Sequence, residues 1–368
     1  MKRMRIIFCI LLLCCLLSGC WDYAPLEDKY IVTGIGIDIS EQDPMNMDIS
    51  VLGISNIQAN ATMHGEGRTV SDALRSIQNR IDKAVLISHL KIVLISDRIA
   101  KKGIQTYLDI LSRNSQIRSD TQIALVHGRA ADYFVQKNFS IPIDASYYSD
   151  TFQLSETIVD PHEFFLNSIL FRLSEDGKGF AIPYLRWDPK QKLLVWSGIG
   201  LFNNGFFKDT LDERETVAYY LIKGSLSRAM ITIGRSSPQL PKAQAVSIRI
   251  FSPSRKLSWS DQNGVKTINL SIQLKDEIIE ASPLNNRPIT SQELEHLQND
   301  VNHDLTHLLH SVMDKIQKTD RMDPFGFQEK ARVQWPNWYQ GDHWNEQFSA
   351  VKWKFDVQIL IERFGKFI

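Results

Sequence analysis

Four histidines on one stretch offer the most direct chemistry. His303-Asp304-Leu305-Thr306-His307 spaces two imidazoles as H-x-x-x-H, with His310 close behind and His296 upstream. Two imidazoles one helical turn apart point to a zinc hydrolase, in which a carboxylate after the first histidine activates the metal-bound water. The residue in that place is Asp304, one methylene shorter than the glutamate of the usual pattern. At about 100° per residue, Leu294, Leu297, Val301, Leu305, Leu308, Leu309, Val312 and Ile316 gather on one side of a helix. The histidines gather on the other. They read as a solvated face, and no cysteine or isolated histidine nearby completes a ligand set, so no metal is expected.

Three other groupings are weaker. Gly34-Ile35-Gly36 starts like a dinucleotide turn, but Ile39 stands where the third glycine belongs and no helix start follows. Strand glycines over which a helix packs closely are the better reading. Ser88 and His89 are nucleophile and base by type, yet neighbours on a strand point to opposite faces and cannot form the required hydrogen bond. Asp276-Glu277 closes a surface strand, where solvation accounts for it. The chain reads as non-enzymatic, with no cofactor.

The cysteines carry a different chemistry. All four, Cys9, Cys14, Cys15 and Cys20, lie in the first twenty residues, around the apolar run IIFCILLLCCL that follows Lys2, Arg3 and Arg5. That run is shorter than the roughly twenty residues of a membrane span and has the layout of a secretory signal. Leu17-Ser18-Gly19-Cys20 resembles a bacterial lipobox. There the thiol takes a diacylglyceryl group, and cleavage between Gly19 and Cys20 makes the cysteine the new N-terminus. Two acyl chains anchor stably, since each buried CH₂ contributes about 0.8 kcal/mol. The mature chain is expected to be tethered outside the cytoplasm without disulfides. Trp21 suits the depth of the lipid headgroups, with Asp22 beside it.

Composition agrees. Of 368 residues, 43% are hydrophobic and 23% charged, a folded globular balance. Without residues 1–19 the chain keeps 39 basic against 42 acidic side chains, which excludes the basic footprint of a nucleic-acid binder.

The elements that must position these residues fall into three groups: a signal peptide over 1–19, then domains over 20–145, 146–197 and 198–368. In the first domain, Tyr30–Asp38 alternates as a strand, with Ile31, Ile35 and Ile37 on one side and Val32, Gly34 and Gly36 on the other. Met47, Ile49 and Val51 form a second strand. A helix over Val70, Leu74, Ile77 and Ile81 starts at a cap on Thr69 or Ser71. SHLKIVLIS from Ser88 reads as a central strand. One helix carries Ile99 to Leu111, TQIALV is a strand, and AADYFVQ is a short helix. The order β-β-α-β-α-β-α implies a mixed sheet with helices packed on it.

The middle domain holds two short helices, the second within HEFFLNSILFRL, and then GFAIPYLRW. The last domain is α+β. Asn203-Asn204-Gly205 and Asp261-Gln262-Asn263-Gly264 mark two hairpins. A helix over Val217–Leu221 and a long one from Ser291 to Lys318 accompany them, and Val351 to Ile361 closes the chain at period two.

Six stretches in this order resemble one family, the Ger(x)C spore-germination lipoproteins. They are GCWD (Gly19–Asp22), VTGIGID (Val32–Asp38), GEGRT (Gly65–Thr69), SHLK (Ser88–Lys91), GIGLFNNGFF (Gly198–Phe207) and DPFGF (Asp323–Phe327). Two features depart from the family pattern. Tyr23-Ala24-Pro25 follows CWD where charged residues are usual, and the long helix shows His303, His307 and His310 where Lys and Glu prevail. The resemblance implies a three-domain mixed α/β protein held by its lipid on the outer face of the spore inner membrane. It implies partnership with a multi-span A subunit and a transporter-like B subunit, and no enzymatic activity. On that basis Gly34, Gly36, Asp38, Gly67, Arg68, Thr69, Ser88, His89, Lys91, Asp323, Pro324 and Gly326 are expected to serve the core or a partner surface. Pro324 and Gly326 are expected to stop the long helix. A surface lipoprotein that itself binds a small nutrient is the alternative, and it requires a concave pocket with convergent polar groups.

Overall fold

Alternating apolar stretches pair into two sheets in the computed structural model, which describes residues 25–364 apart from 44, 55–60, 136, 138, 142, 155–157, 175–178, 235–244 and 282–289. Gly19, Cys20, Trp21 and Asp22 lie outside the described residues.

The first sheet begins with β1 (Lys29–Ile39), β2 (Met47–Ile54), β3 (Ala61–Gly67), β4 (Ala84–Leu86), β5 (Ile92–Ser96) and β6 (Gln122–Val126). Helix α1 (Val70–Gln78) follows β3, and α2 (Asp97–Lys102) and α3 (Gln105–Arg113) lie between β5 and β6. The sheet's spatial order is β10-β9-β8-β6-β5-β1-β2-β3, with β4 also beside β1. Its later members are β8 (Gly179–Asp188), β9 (Leu193–Asn203) and β10 (Phe206–Leu211). Strand β1 runs parallel to β5 and antiparallel to β2, making the sheet mixed.

In β1 the expected alternation is interrupted. The pairing register shifts between Val32 and Gly34, so Val32 joins Ile35 and Ile37 in one core cluster instead of facing away from them. A bulge adds one residue and flips the following side chains to the other face. Gly34 and Gly36 then meet the 3₁₀ turn Ala130–Phe134. A Cβ on Gly34 would stand 3.1 Å from the Phe134 ring, and one on Gly36 would stand 3.1 Å from the Ala130 Cβ. The close helical packing expected over these glycines is present.

The helix expected across Ile99–Leu111 is two helices. Gly103 between them holds φ at 106° and sits beneath the Phe206 ring, a conformation that ends α2 and that only glycine takes freely. The expected strand SHLKIVLIS shortens to Ile92–Ser96, and Ser88–Lys91 forms the turn leading into it.

Helix α4 (Ala145–Leu154) covers one face of this sheet through Tyr148, and α5 (Leu166–Leu173) covers the other through Leu166 and Ile169. The boundary expected between 197 and 198 falls inside β9, which is hydrogen-bonded on both sides to β8 and β10. The chain leaves this sheet after β10 through α6 (Glu213–Lys223). A capping box of Asp212 and Glu215 starts α6, and Gly224 in the left-handed region ends it.

The second sheet has the order β14-β13-β12-β11-β7, with β7 (Ile158–Val159), β11 (Leu226–Gly234), β12 (Ala245–Gln262), β13 (Val265–Ala281) and β14 (Lys352–Phe364). Both hairpin turns carry positive φ at their two central residues, Asn204-Gly205 and Asn263-Gly264, as the tight primed turn requires. Helix α7 (Ser291–Asp314) lays Leu297, Val301, Leu305, Leu309 and Val312 on the sheet. Short helices α8 (Gln328–Gln334) and α9 (Trp344–Ala350) complete that layer. Thr216 to Ile222 of α6 are all buried, and the apolar members share one cluster with Ile199 and Leu201 of the first sheet and Ile268 and Leu270 of the second. A helix buried all round is one packed from both sides.

Helix α7 does not run to Pro324. It widens into a π-helical turn at Lys315–Asp320, and Arg321 at φ 49° ends it. Gly326 supplies the expected sharp turn, with φ at 78°.

Candidate functional site

The expected site residues separate into three places. At the first, the buried Asp38 carboxylate accepts from the backbone N–H of Ala130 (2.8 Å) and Ala131 (2.9 Å), fixing the 3₁₀ turn over Gly34 and Gly36. Burial raises this carboxyl to about 6, with the two N–H donors opposing it. Arg129 beside it pairs with Asp48 at 3.1 Å and Glu41 at 3.0 Å. Nearby in the same sheet, Thr69 Oγ1 accepts from Asp72 N and caps α1, choosing between the two expected caps. A Cβ on Gly67 would lie 2.6 Å from Ala73 N, and one on Gly65 would collide with the Ala73 carbonyl. GEGRT therefore lets α1 lie against β3, and Arg68 stands exposed at the junction.

The second place is DPFGF. Asp323 is 1% exposed, and its Oδ1 accepts from Phe325 N (3.0 Å) and Gly326 N (3.1 Å). Its Oδ2 accepts from Gln328 N (3.0 Å) and Trp344 Nε1 (2.9 Å). Burial raises the carboxyl's pKa against the pull of these donors. The loop also holds the first sheet and α6: Gly179 N of β8 donates to Asp323 O at 3.1 Å, and the Tyr219 hydroxyl of α6 donates to Pro324 O at 2.8 Å. Next to it a cavity of about 630 Å³ is lined by Phe171, Arg172, Gly179, Lys223 and Phe325. Lys223 and Arg172 share the Glu163 carboxylate there, and burial lowers Lys223 to about 8. Sequence reasoning missed this group. The one signal was a lysine closing the apolar run of α6.

The third place is an open cleft of about 400 Å³ where SHLK turns into β5. Ser88, His89 and Lys91 line it together with Arg118, Asp120, Gln122, Ser146 and Asp150. Lys91 N donates to Thr33 O and Gln122 N donates to Lys91 O, which pins the turn to the neighbouring strand ends. Lys91 Nζ reaches α4 and donates to Ser146 Oγ at 2.7 Å. Arg118 and Asp120 form a two-bonded pair, at 2.8 and 2.6 Å, on the rim. Gln122 is buried, and its Oε1 has no hydrogen-bond partner. Because Ser88 and His89 lie in a turn, the strand argument against their pairing does not apply, yet they make no hydrogen bond to each other. The cleft residues beyond SHLK were not foreseen. A glutamine opening the apolar run QIALV was the available signal.

The four helix histidines stand exposed on α7. Asp304 pairs with Arg214, and the His310 ring sits 4.8 Å from that of Phe355. Among the described residues no three His, Cys, Asp or Glu side chains are placed to share a metal ion.

A mixed sheet joined through a buried helix to a second sheet under a long helix defines a class already seen in germination proteins. The chain resembles the crystal structure of the GerBC protein with a TM-score of 0.62 and 16% identity, covering 89% of this chain and 97% of that one. Residues 22–186 match the family described as spore germination protein N-terminal domain, and residues 197–365 match spore germination B3/GerAC like, C-terminal. Spore germination protein B3 of Bacillus subtilis (strain 168) is 23% identical over 391 residues, covering 99% of this chain and 98% of the relative. Spore germination protein KC of the same organism is 20% identical over 367 residues, covering 90% and 88%. The chain belongs to the Ger(x)C family of spore germination proteins.

Proposed function

We propose that this protein is the lipid-anchored C subunit of a nutrient germinant receptor, with no catalytic centre. It acts through contacts with the A and B membrane subunits on the outer face of the spore inner membrane. The observation that carries the reading is the pair of family matches over residues 22–186 and 197–365, directly behind Leu17–Cys20, which resembles a lipobox. One further fact supports it: GEGRT and DPFGF are occupied with packing, which suits a rigid adaptor. Among the described residues no helix is long and apolar enough to cross a membrane.

The test is a pair of strains of the spore-former that carries this gene, one deleted and one with Cys20→Ala. Both should lose the response to a nutrient that the parent answers, read as loss of spore refractility. The Cys20→Ala protein should leave the inner-membrane fraction. Parental germination by the deletion strain on every nutrient would overturn the receptor role, and full germination by a soluble Cys20→Ala protein would overturn the anchor.

A further inference from the structure

The SHLK cleft carries two opposite charges that the fold leaves unneutralised. Lys91 makes no ion pair among the described residues, its ammonium being held only by Ser146 Oγ at 2.7 Å. Asp150, also exposed in the cleft, makes no ion pair either. Both groups are positioned by α4. Ser146 and Asp150 are one helical turn apart, and residues at that spacing stand about 5 to 6 Å from each other on the helix surface. The ammonium drawn to Ser146 is therefore near Asp150 but outside ion-pair distance. Gln122 lines the same cleft, and its buried Oε1 has no hydrogen-bond partner. Arg118 and Asp120 neutralise each other on the rim and so leave Lys91 and Asp150 as the net recognition pair.

We infer that this cleft binds a small zwitterion, a molecule carrying an anionic group and a primary ammonium on a short stem. The anion takes the free donors of Lys91, the ammonium takes Asp150, and one ammonium or amide N–H satisfies Gln122 Oε1. Such a ligand bridges the two charges and supplies the missing donor, whereas a simple anion would leave Asp150 and Gln122 unmet. Two sources share this chemistry, free amino acids and the phosphoethanolamine headgroup of a membrane lipid. The inference does not depend on the receptor reading, because it rests on the cleft alone.

The full-length chain, purified in mild detergent, is tested by ligand-observed NMR and calorimetry against the common amino acids, glycerophosphoethanolamine, acetate, methylammonium and inorganic phosphate. Saturable binding is expected for at least one zwitterion, and at least tenfold weaker binding for acetate, methylammonium and phosphate. Lys91→Gln and Asp150→Asn are both surface changes that should leave the thermal midpoint in place, and each should weaken zwitterion binding at least tenfold. Binding by glycerophosphoethanolamine without amino acids assigns the headgroup, and the reverse assigns a free amino acid. No saturable binding by any zwitterion, or binding that both variants retain in full, overturns the inference.

Discussion

Removing the Asp323 carboxylate should loosen the DPFGF loop from α8 and α9. Four donors converge on it: the N–H groups of Phe325, Gly326 and Gln328, and Trp344 Nε1. In Asp323→Ala all four lose their acceptor in a site that is 1% exposed. At about 1 to 3 kcal/mol for each orphaned buried group, even with water refilling part of the space, the loss comes to about 4 kcal/mol or more. That is a large share of the roughly 5 to 15 kcal/mol that holds a domain together. Asp323→Asn separates bonding from charge. The amide keeps its volume and one acceptor for Phe325 and Gly326, but its NH₂ meets the donors of Gln328 and Trp344. Two orphaned donors at the same rate cost about 2 to 6 kcal/mol, offset by the removal of a charge that burial disfavours. Asparagine should therefore fall between wild type and alanine. Urea unfolding followed by circular dichroism and tryptophan fluorescence measures all three. An asparagine variant as stable as wild type would show that burying the charge costs as much as its bonds return, and would refute the reasoning.

Gly65→Ala should destabilise by about 1 to 3 kcal/mol, the usual cost of overpacking, because its Cβ meets the backbone carbonyl of Ala73, which cannot rotate away; a urea midpoint equal to wild type would contradict the packing. The pH dependence from Asp38 has a definite sign: its carboxyl is raised from 3.8 to about 6 in the folded state, so the native chain holds the proton longer and stability falls as pH rises through that window. The loss is on the order of 3 kcal/mol, and it should vanish in Asp38→Asn, as urea titrations at pH 4 and pH 7 would show.

Much of the framework was legible because period and turn chemistry are local. Asn204-Gly205 and Asn263-Gly264 announced their hairpins, Thr69 its helix, and the glycines of β1 a close neighbour above them. What escaped depends on partners distant in sequence. The polar ATMHGEG of β3 is a strand because β2 lends it a ladder, and the bulge at Val32 is set by pairing that no window of β1 contains. The same holds for the sites. Lys91 was singled out, but Asp150 and Gln122 reach the cleft from α4 and β6, and nothing in their local spacing records that. The sequence marks Asp323 only as part of DPFGF, whereas its work is to gather donors from the loop, α8 and α9.

The position of β1 sets how the molecule would bear load. Tension on the chain upstream of Lys29 enters along the axis of a strand clamped by β5 and β4 on one side and β2 on the other. Ladder hydrogen bonds run across the strand, so the pull would shear many of them at once instead of unzipping them singly. A protein tugged by its leading end in this way would hold its shape and pass the force inward.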